Sequence, residues 1–302
     1  MRFDRLTVSI PSILFKPFEQ IVRLCARQKE GLKPIWIIGA PRSGTTLMYQ
    51  IMCMAFKGSY LSNRVAKRYR IALIMRTIER IVFDLDRVPK SFESNYGRTI
   101  APGSPHEGGQ FFYEFFPKEE PYCEDLNPVM KNKFKKAVSF ITSPRKIFIS
   151  KNTYHSLRIK ALKTAFPNSR FIWVTRNKTE TIHSIIHARH KNGIPNEEWW
   201  SVKPKGWQQE NKRNEIEKII WQVEEIESVI EKSLVESASI FLKIDYEEIC
   251  NNPRKLLNHI SEEFDMKKDQ REVFKLIPEK FEYSKRAEDE ILKKIKSFLN
   301  NG

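Results

Sequence analysis

Apolar residues fall along the chain in two patterns. Four short runs bounded by polar or turn residues, IWII (35–38), IFIS (147–150), FIWVT (171–175) and IFLKI (240–244), have the length and continuity of parallel strands buried on both faces. Between them the apolar positions recur at helical spacing. Leu47, Ile51, Met54 and Ala55 follow the first run, and Leu157, Ala161, Leu162 and Ala165 precede a stop at Pro167-Asn168. A further helix runs from Thr179 to Asn192 with Gly193 as its stop signal, and Ile216, Ile219, Ile220, Val223, Ile226 and Ile230 mark a long amphipathic helix before the last run. Strands alternating with helices predict an α/β fold of three layers around a mainly parallel central sheet, with residues 1–302 forming one domain. Residues from about 57 to 145 break the alternation, with weak strand signals, a Gly/Pro-rich stretch NYGRTIAPGSPHEGG (95–109) and the aromatic run QFFYEFF. We read them as a helical and loop insertion over the carboxyl edge of the sheet, where ligands of such folds bind.

Composition narrows the class. With 40% hydrophobic and 30% charged residues the chain is globular rather than disordered, and no apolar run approaches the ~18 residues that cross a bilayer. The N-terminal stretch MRFDRLTVSIPSILFKPF lacks a signal-peptide apolar core with a small-residue cleavage site, which predicts a cytoplasmic protein. Cys25, Cys53, Cys123 and Cys250 are widely spaced and form no C-x-x-C pair, so neither a metal site nor a disulfide framework is expected. The net charge of +16 favours an anionic cofactor or acceptor, and the same excess fits nucleic acid or peripheral contact with an anionic membrane. The basic block KNKFKK (131–136) reads as a solvated helix face, and no nucleic-acid partner is expected.

The first strand leads into IIGAPRSGTT (37–46), which has the spacing of a P-loop, G-x-x-x-x-G-K-[ST], with Thr45 where the lysine belongs. A strand, a Gly-containing loop and a helix in succession aim backbone N–H groups and the positive helix end at one anion. The nearest cation is Arg42, two positions before the second glycine, a displacement that argues against a conventional nucleotide hydrolase.

Pro41-Arg42-Ser43-Gly44-Thr45-Thr46 resembles the 5′-phosphosulfate loop P-[RK]-[ST]-G-T-[TS] of sulfotransferases that use 3′-phosphoadenosine 5′-phosphosulfate (PAPS). That family has a second signature, R-[DN]-P-x-[DE]-x-x-x-S, which grips the 3′-phosphate. FIWVT is followed by Arg176-Asn177-Lys178-Thr179-Glu180-Thr181-Ile182-His183-Ser184, with Lys178 in place of the proline. The intervening SKNTYHSLRIKALKTAFPNSRFIWVTRN is similar to the corresponding segment of tyrosylprotein and bacterial polysaccharide-type members, and KIDYEEICNNPRKLLNHISEEFDM resembles a later Y-E-[DE]-L-x-x-[ND]-P stretch whose role is mainly architectural. The resemblance covers about two-thirds of the chain, the insertion excepted, and implies a P-loop-like fold and a PAPS-dependent sulfotransferase that needs no metal.

Sulfuryl transfer resembles phosphoryl transfer in resting on positioning and charge stabilisation. By resemblance, Arg42 and the loop amides hold the 5′-phosphate and sulfonate, Arg176 and Ser184 the 3′-phosphate, and Lys151 approaches the leaving oxygen. An acceptor hydroxyl also needs a base. Tyrosylprotein sulfotransferases place a glutamate shortly after the first helix, but GSYLSNRVAKRYR (58–70) has no carboxylate. Ser104-Pro105-His106-Glu107-Gly108 is similar to a P-x-E or P-H-E stretch of bacterial members, with Glu107 as candidate base and His106 as second candidate. Phe111-Phe112-Tyr113 with Phe115-Phe116 read as core or acceptor wall, and Trp199-Trp200 as core or a gate over the cofactor. The expected acceptor is a carbohydrate or other hydroxyl compound. A kinase-like nucleotide phosphotransferase and a non-enzymatic binder of anionic polymer remain alternatives.

Overall fold

Every predicted strand run forms a strand in the computed structural model, which describes residues 14–82, 92, 94–95, 98–117, 121–266, 276–283 and 289–301. β1 (Ile35–Ile38), β4 (Ile149–Lys151), β5 (Arg170–Thr175) and β6 (Ile240–Asp245) make one all-parallel sheet in the order β4-β1-β5-β6, and a short hairpin pairs β2 (Ser94–Asn95) with β3 (Arg98–Thr99). Strand alternation divides the core. Trp36 and Ile38 of β1 enter one apolar cluster with Phe171 and Trp173, whereas Ile35 and Ile37 enter the other with Ile172 and Val174. Burial on both faces is why these strands read as continuous apolar runs rather than alternating ones.

The helices fill the two outer layers. On one face lies α2 (Thr45–Ala55), beneath α12 (Pro253–Glu263), which follows the short α11 (Tyr246–Asn251). On the other lie α6 (Pro128–Ile141), α7 (Ile159–Ala165), α8 (Lys178–Lys191) and α10 (Glu215–Glu236). Their starts are chemically marked: Asn127, Asn177 and Asn214 each accept a backbone N–H two residues into α6, α8 and α10, at 2.9, 3.1 and 3.0 Å.

Two expectations need correction. IFLKI is not buried on both faces, because β6 is the sheet edge among the described strands and leaves Ile240 and Phe241 exposed. The insertion does not lie wholly over the carboxyl edge. Its α3 (Asn63–Lys67), β3 and α5 (Gly109–Phe112) do, while α4 (Ala72–Val82) and α6 pack on the flank, together with α1 (Lys16–Cys25). Ser59 also joins the sheet through a parallel bridge to Phe148, which the absence of an apolar run around it concealed. The chain ends in α13 (Glu290–Asn301), packed on α8; α9 (Trp207–Glu210) is a single turn ahead of α10.

Candidate active site

In the order β4-β1-β5-β6, the connections leaving β1 and β5 run to opposite sides of the sheet. A crevice therefore opens at their carboxyl ends, the usual ligand site of such sheets. A cavity of about 790 Å³ lies there, and it collects residues from seven separate parts of the sequence.

The floor is the loop between β1 and α2. Gly39 has φ +154° and an added Cβ there would meet the carbonyl of Val174 at 2.5 Å, and Gly44 has φ +100° with the ring of Tyr246 2.1 Å from where its Cβ would sit. Arg42 adopts φ +69°, a left-handed conformation costing about 1–2 kcal/mol in a non-glycine residue. Such strain persists where the surroundings impose it, and it throws the Arg42 side chain toward the cavity. α2 starts at Gly44 with no side-chain cap and no acidic residue in its first turn, so its first N–H groups are left to an anion.

Pro41, Arg42, Gly44, Thr45 and Thr46 all line the cavity. Ser43 does not: its hydroxyl is buried against Gly39 and finds no partner among the described residues. Ser184 is also buried, and its hydroxyl accepts a hydrogen bond from Nε of Arg42 at 3.2 Å. The two signature segments are thus tied to each other across 142 residues of sequence.

Arg176 leaves the end of β5 and lines the same cavity. Its guanidinium is held by Glu180, whose Oε2 lies 3.0 Å from Nη2 and also accepts from the Tyr283 hydroxyl at 2.7 Å. Its Cζ lies 4.8 Å from the centre of the Tyr246 ring. Tyr246 is a cavity-lining residue that sequence reasoning missed, having been assigned an architectural stretch. Its only signal is its position immediately past the carboxyl end of β6. Burial pushes its hydroxyl pKa up to about 12, so the phenol stays neutral and acts as a donor and stacking surface.

The far wall joins β4 to the insertion. Lys151, almost fully buried at the end of β4, donates a short hydrogen bond to Glu107, whose carboxylate is about one-third exposed to the cavity. Asn152 Nδ2 donates to the Glu107 carbonyl at 3.2 Å, so consecutive residues hold both the side chain and the backbone of Glu107. His106 N–H donates to Leu61 at 2.7 Å, and its Nδ1 accepts the Gly108 N–H at 2.8 Å. An imidazole that accepts at Nδ1 carries its proton on Nε2, which makes His106 a hydrogen-bond donor in this arrangement.

Asn63, Lys67, Gln110, Tyr113 and Trp200 complete the lining. Phe111, Phe112, Phe115 and Phe116 are core residues, and Tyr113 alone of that run reaches the cavity. Of the tryptophan pair, Trp199 is buried against Trp207 and Trp221. Trp200 faces the cavity from a loop braced by Gln222, which donates to the carbonyls of Trp200 and Val202 at 3.0 and 2.7 Å. Among the described residues no group of His, Cys, Asp and Glu side chains has the makings of a metal site.

Known structures share this architecture. A sulfotransferase from Mycobacterium avium aligns over 96% of this chain and 72% of its own at 16% identity, with a TM-score of 0.54. A second, from Mycobacterium tuberculosis, aligns over 86% and 73% at 14% identity, with a TM-score of 0.53. No curated protein sequence matches the chain. The match that goes beyond fold is to the sulfotransferase family model over residues 34–270, which takes in the β1–α2 loop, the Lys151–Glu107 pair and Arg176, and by it the chain belongs to the sulfotransferase family.

Proposed function

We propose that the chain transfers a sulfuryl group from PAPS to a hydroxyl-bearing acceptor, with a carbohydrate as the class favoured by the polar lining and the two aromatic rings, Tyr113 and Trp200. The observation that carries the reading is the meeting in one cavity of two cationic strand ends, Arg42 with the α2 N-terminus and Arg176, joined through Ser184. One anionic group at each end is what PAPS offers and what AMP does not.

In this reading Arg42, Thr45, Thr46 and the loop N–H groups bind the 5′-phosphosulfate, and Arg176 binds the 3′-phosphate with Tyr246 beside it. Ser184 acts by orienting Arg42. PAPS supplies the activated sulfuryl group and the bisphosphate leaving group. Lys151 neutralises charge appearing on the leaving oxygen, and Glu107 takes the acceptor proton. Glu107 is favoured over His106 because the His106 Nδ1 is committed to the Gly108 N–H and its other nitrogen carries a proton. The Lys151–Glu107 contact parts when donor and acceptor enter, freeing each group for its role.

The test is binding and transfer in a metal chelator. Adenosine 3′,5′-bisphosphate is expected to bind far more tightly than AMP, and Arg176→Ala to remove most of that preference. A charge-assisted contact contributes ~1.5–3 kcal/mol, about ten- to a hundredfold in affinity. Label from PAPS is expected on a member of a panel of glycans and phenols. Equal affinity for AMP and the bisphosphate in the unmutated protein overturns the two-ended reading.

A further inference from the structure

α1 buries an acid on its inward side. An amphipathic helix on a globular protein normally buries its apolar stripe and shows its charges to water. The inward side of α1 carries Val22, with Phe15 just ahead of the helix, against the core and, between them, Glu19, only 2% exposed, whose carboxylate accepts the N–H groups of Leu73 and Ile74 at 3.1 and 3.0 Å and Nε of Arg23 at 2.8 Å. Those bonds fix the rotation of the helix. They leave Phe18, Ile21 and Leu24, with Leu14 one turn earlier, 59, 56, 77 and 65% exposed on its outer side.

Leu24, at the end of the stripe, also borders a groove of about 600 Å³ between α1 and α6. Leu24 and Val129 form its apolar lips, Leu73 and Phe115 lie deeper, and Lys133 and Lys136 of the basic block stand at the rim. Among the described residues neither lysine has a carboxylate partner. The acids nearest the groove are already engaged: Glu19 and Glu114 both pair with Arg23, at 2.8 Å each. An apolar stripe thus runs beside uncompensated positive charge, on a chain of net charge +16.

We propose that this face docks the protein on an anionic lipid bilayer, with Leu14, Phe18, Ile21 and Leu24 in the acyl boundary and Lys133 and Lys136 against the headgroups. Side chains of this kind at a membrane surface, with lysines beside them, are the ingredients of interfacial binding. A second copy of the chain fits less well. It would set two cationic rims, each with Lys133 and Lys136, against each other. The docking face is close in sequence to the cavity, since Lys67 lines the cavity and Arg70 lies beside α1.

Flotation of the full-length chain with vesicles tests this. The protein is expected to bind mixed phosphatidylcholine–phosphatidylglycerol vesicles at low salt, to bind pure phosphatidylcholine weakly, and to be released as salt rises. Phe18→Ser with Ile21→Ser is expected to weaken binding on the order of tenfold or more. Lys133→Gln and Lys136→Gln are each expected to reduce the anionic-over-neutral preference about fivefold. All these side chains lie outside the cavity, so bisphosphate affinity is expected to stay unchanged and serves as the folding control. No vesicle binding by the unmutated chain overturns the proposal. A concentration-dependent dimer abolished by Phe18→Ser assigns the face to a second copy, and a serine double variant that melts early without any lipid effect assigns it to another part of this chain.

Discussion

Lys151 and Glu107 sit in contact, yet the chemistry proposed for them is of opposite kind, one group giving up positive influence to a leaving oxygen and the other taking a proton. The charge on the leaving oxygen is absent in bound PAPS, builds up in the transition state and is complete in the released bisphosphate. Lys151→Ala is therefore expected to lower kcat far more than it weakens binding of unreacted PAPS, as measured by steady-state kinetics beside calorimetry with PAPS in the absence of acceptor. A change confined to KM would make Lys151 a binding residue. Glu107→Gln keeps the shape and much of the hydrogen bonding but removes the base, so turnover is expected to fall by ~10²–10⁴ with donor affinity preserved. His106→Asn provides the contrast: a donor lost from the lining is expected to cost less than the base, and a reversed order would move the base to His106.

At the scale of elements, the meeting of β1, α2 and α11 is a tightly constrained joint. Because the Tyr246 ring occupies the space above Gly44, Gly44→Ala drives that ring off the loop and away from Arg176. It is expected to lower bisphosphate affinity at least about tenfold, one lost charge-assisted contact's worth. Gly193 makes the comparison. It too has positive φ, +62°, but nothing lies within 4 Å of its would-be Cβ. Gly193→Ala is expected to cost only the ~1–2 kcal/mol of a left-handed alanine, seen as a lower melting temperature with binding intact. The same elements show what the sequence could tell. The β1 loop and the segment after β5 were legible because backbone geometry and phosphate chemistry demand particular residues at fixed spacing. The helices were legible because one apolar stripe faces a sheet. Tyr246 was not legible, since a tyrosine after a strand serves equally as core filler, and only the approach of β6 to β5 brings it over Gly44. The bridge at Ser59 and the sideways packing of α4 and α6 depend on contacts distant in sequence, which periodicity does not encode.

Across the whole molecule, the flank around α1 is held by one acid. The N-terminus of α4 is served not by a capping residue of its own but by Glu19, 54 and 55 positions earlier in the chain from the two amides it accepts. Glu19→Ala would leave the buried N–H of Leu73 without an acceptor at ~1–3 kcal/mol, and the part-buried N–H of Ile74 at less. It is expected to lower the urea midpoint clearly, and Glu19→Gln by less, with the adenosine bisphosphate site unaffected in both.

The hydrogen bond from Arg42 to Ser184 has a consequence for selection among ligands. It links the loop after β1 to the helix after β5, so the two cationic ends of the cavity are parts of one frame rather than two independent patches. A frame of fixed span measures length. A ligand with an anion at one end engages half of it, and one whose anions stand too close or too far engages either end but not both. For a ligand of matching span the second contact forms at the effective concentration set by the first, a gain over either contact alone that needs no further side chain.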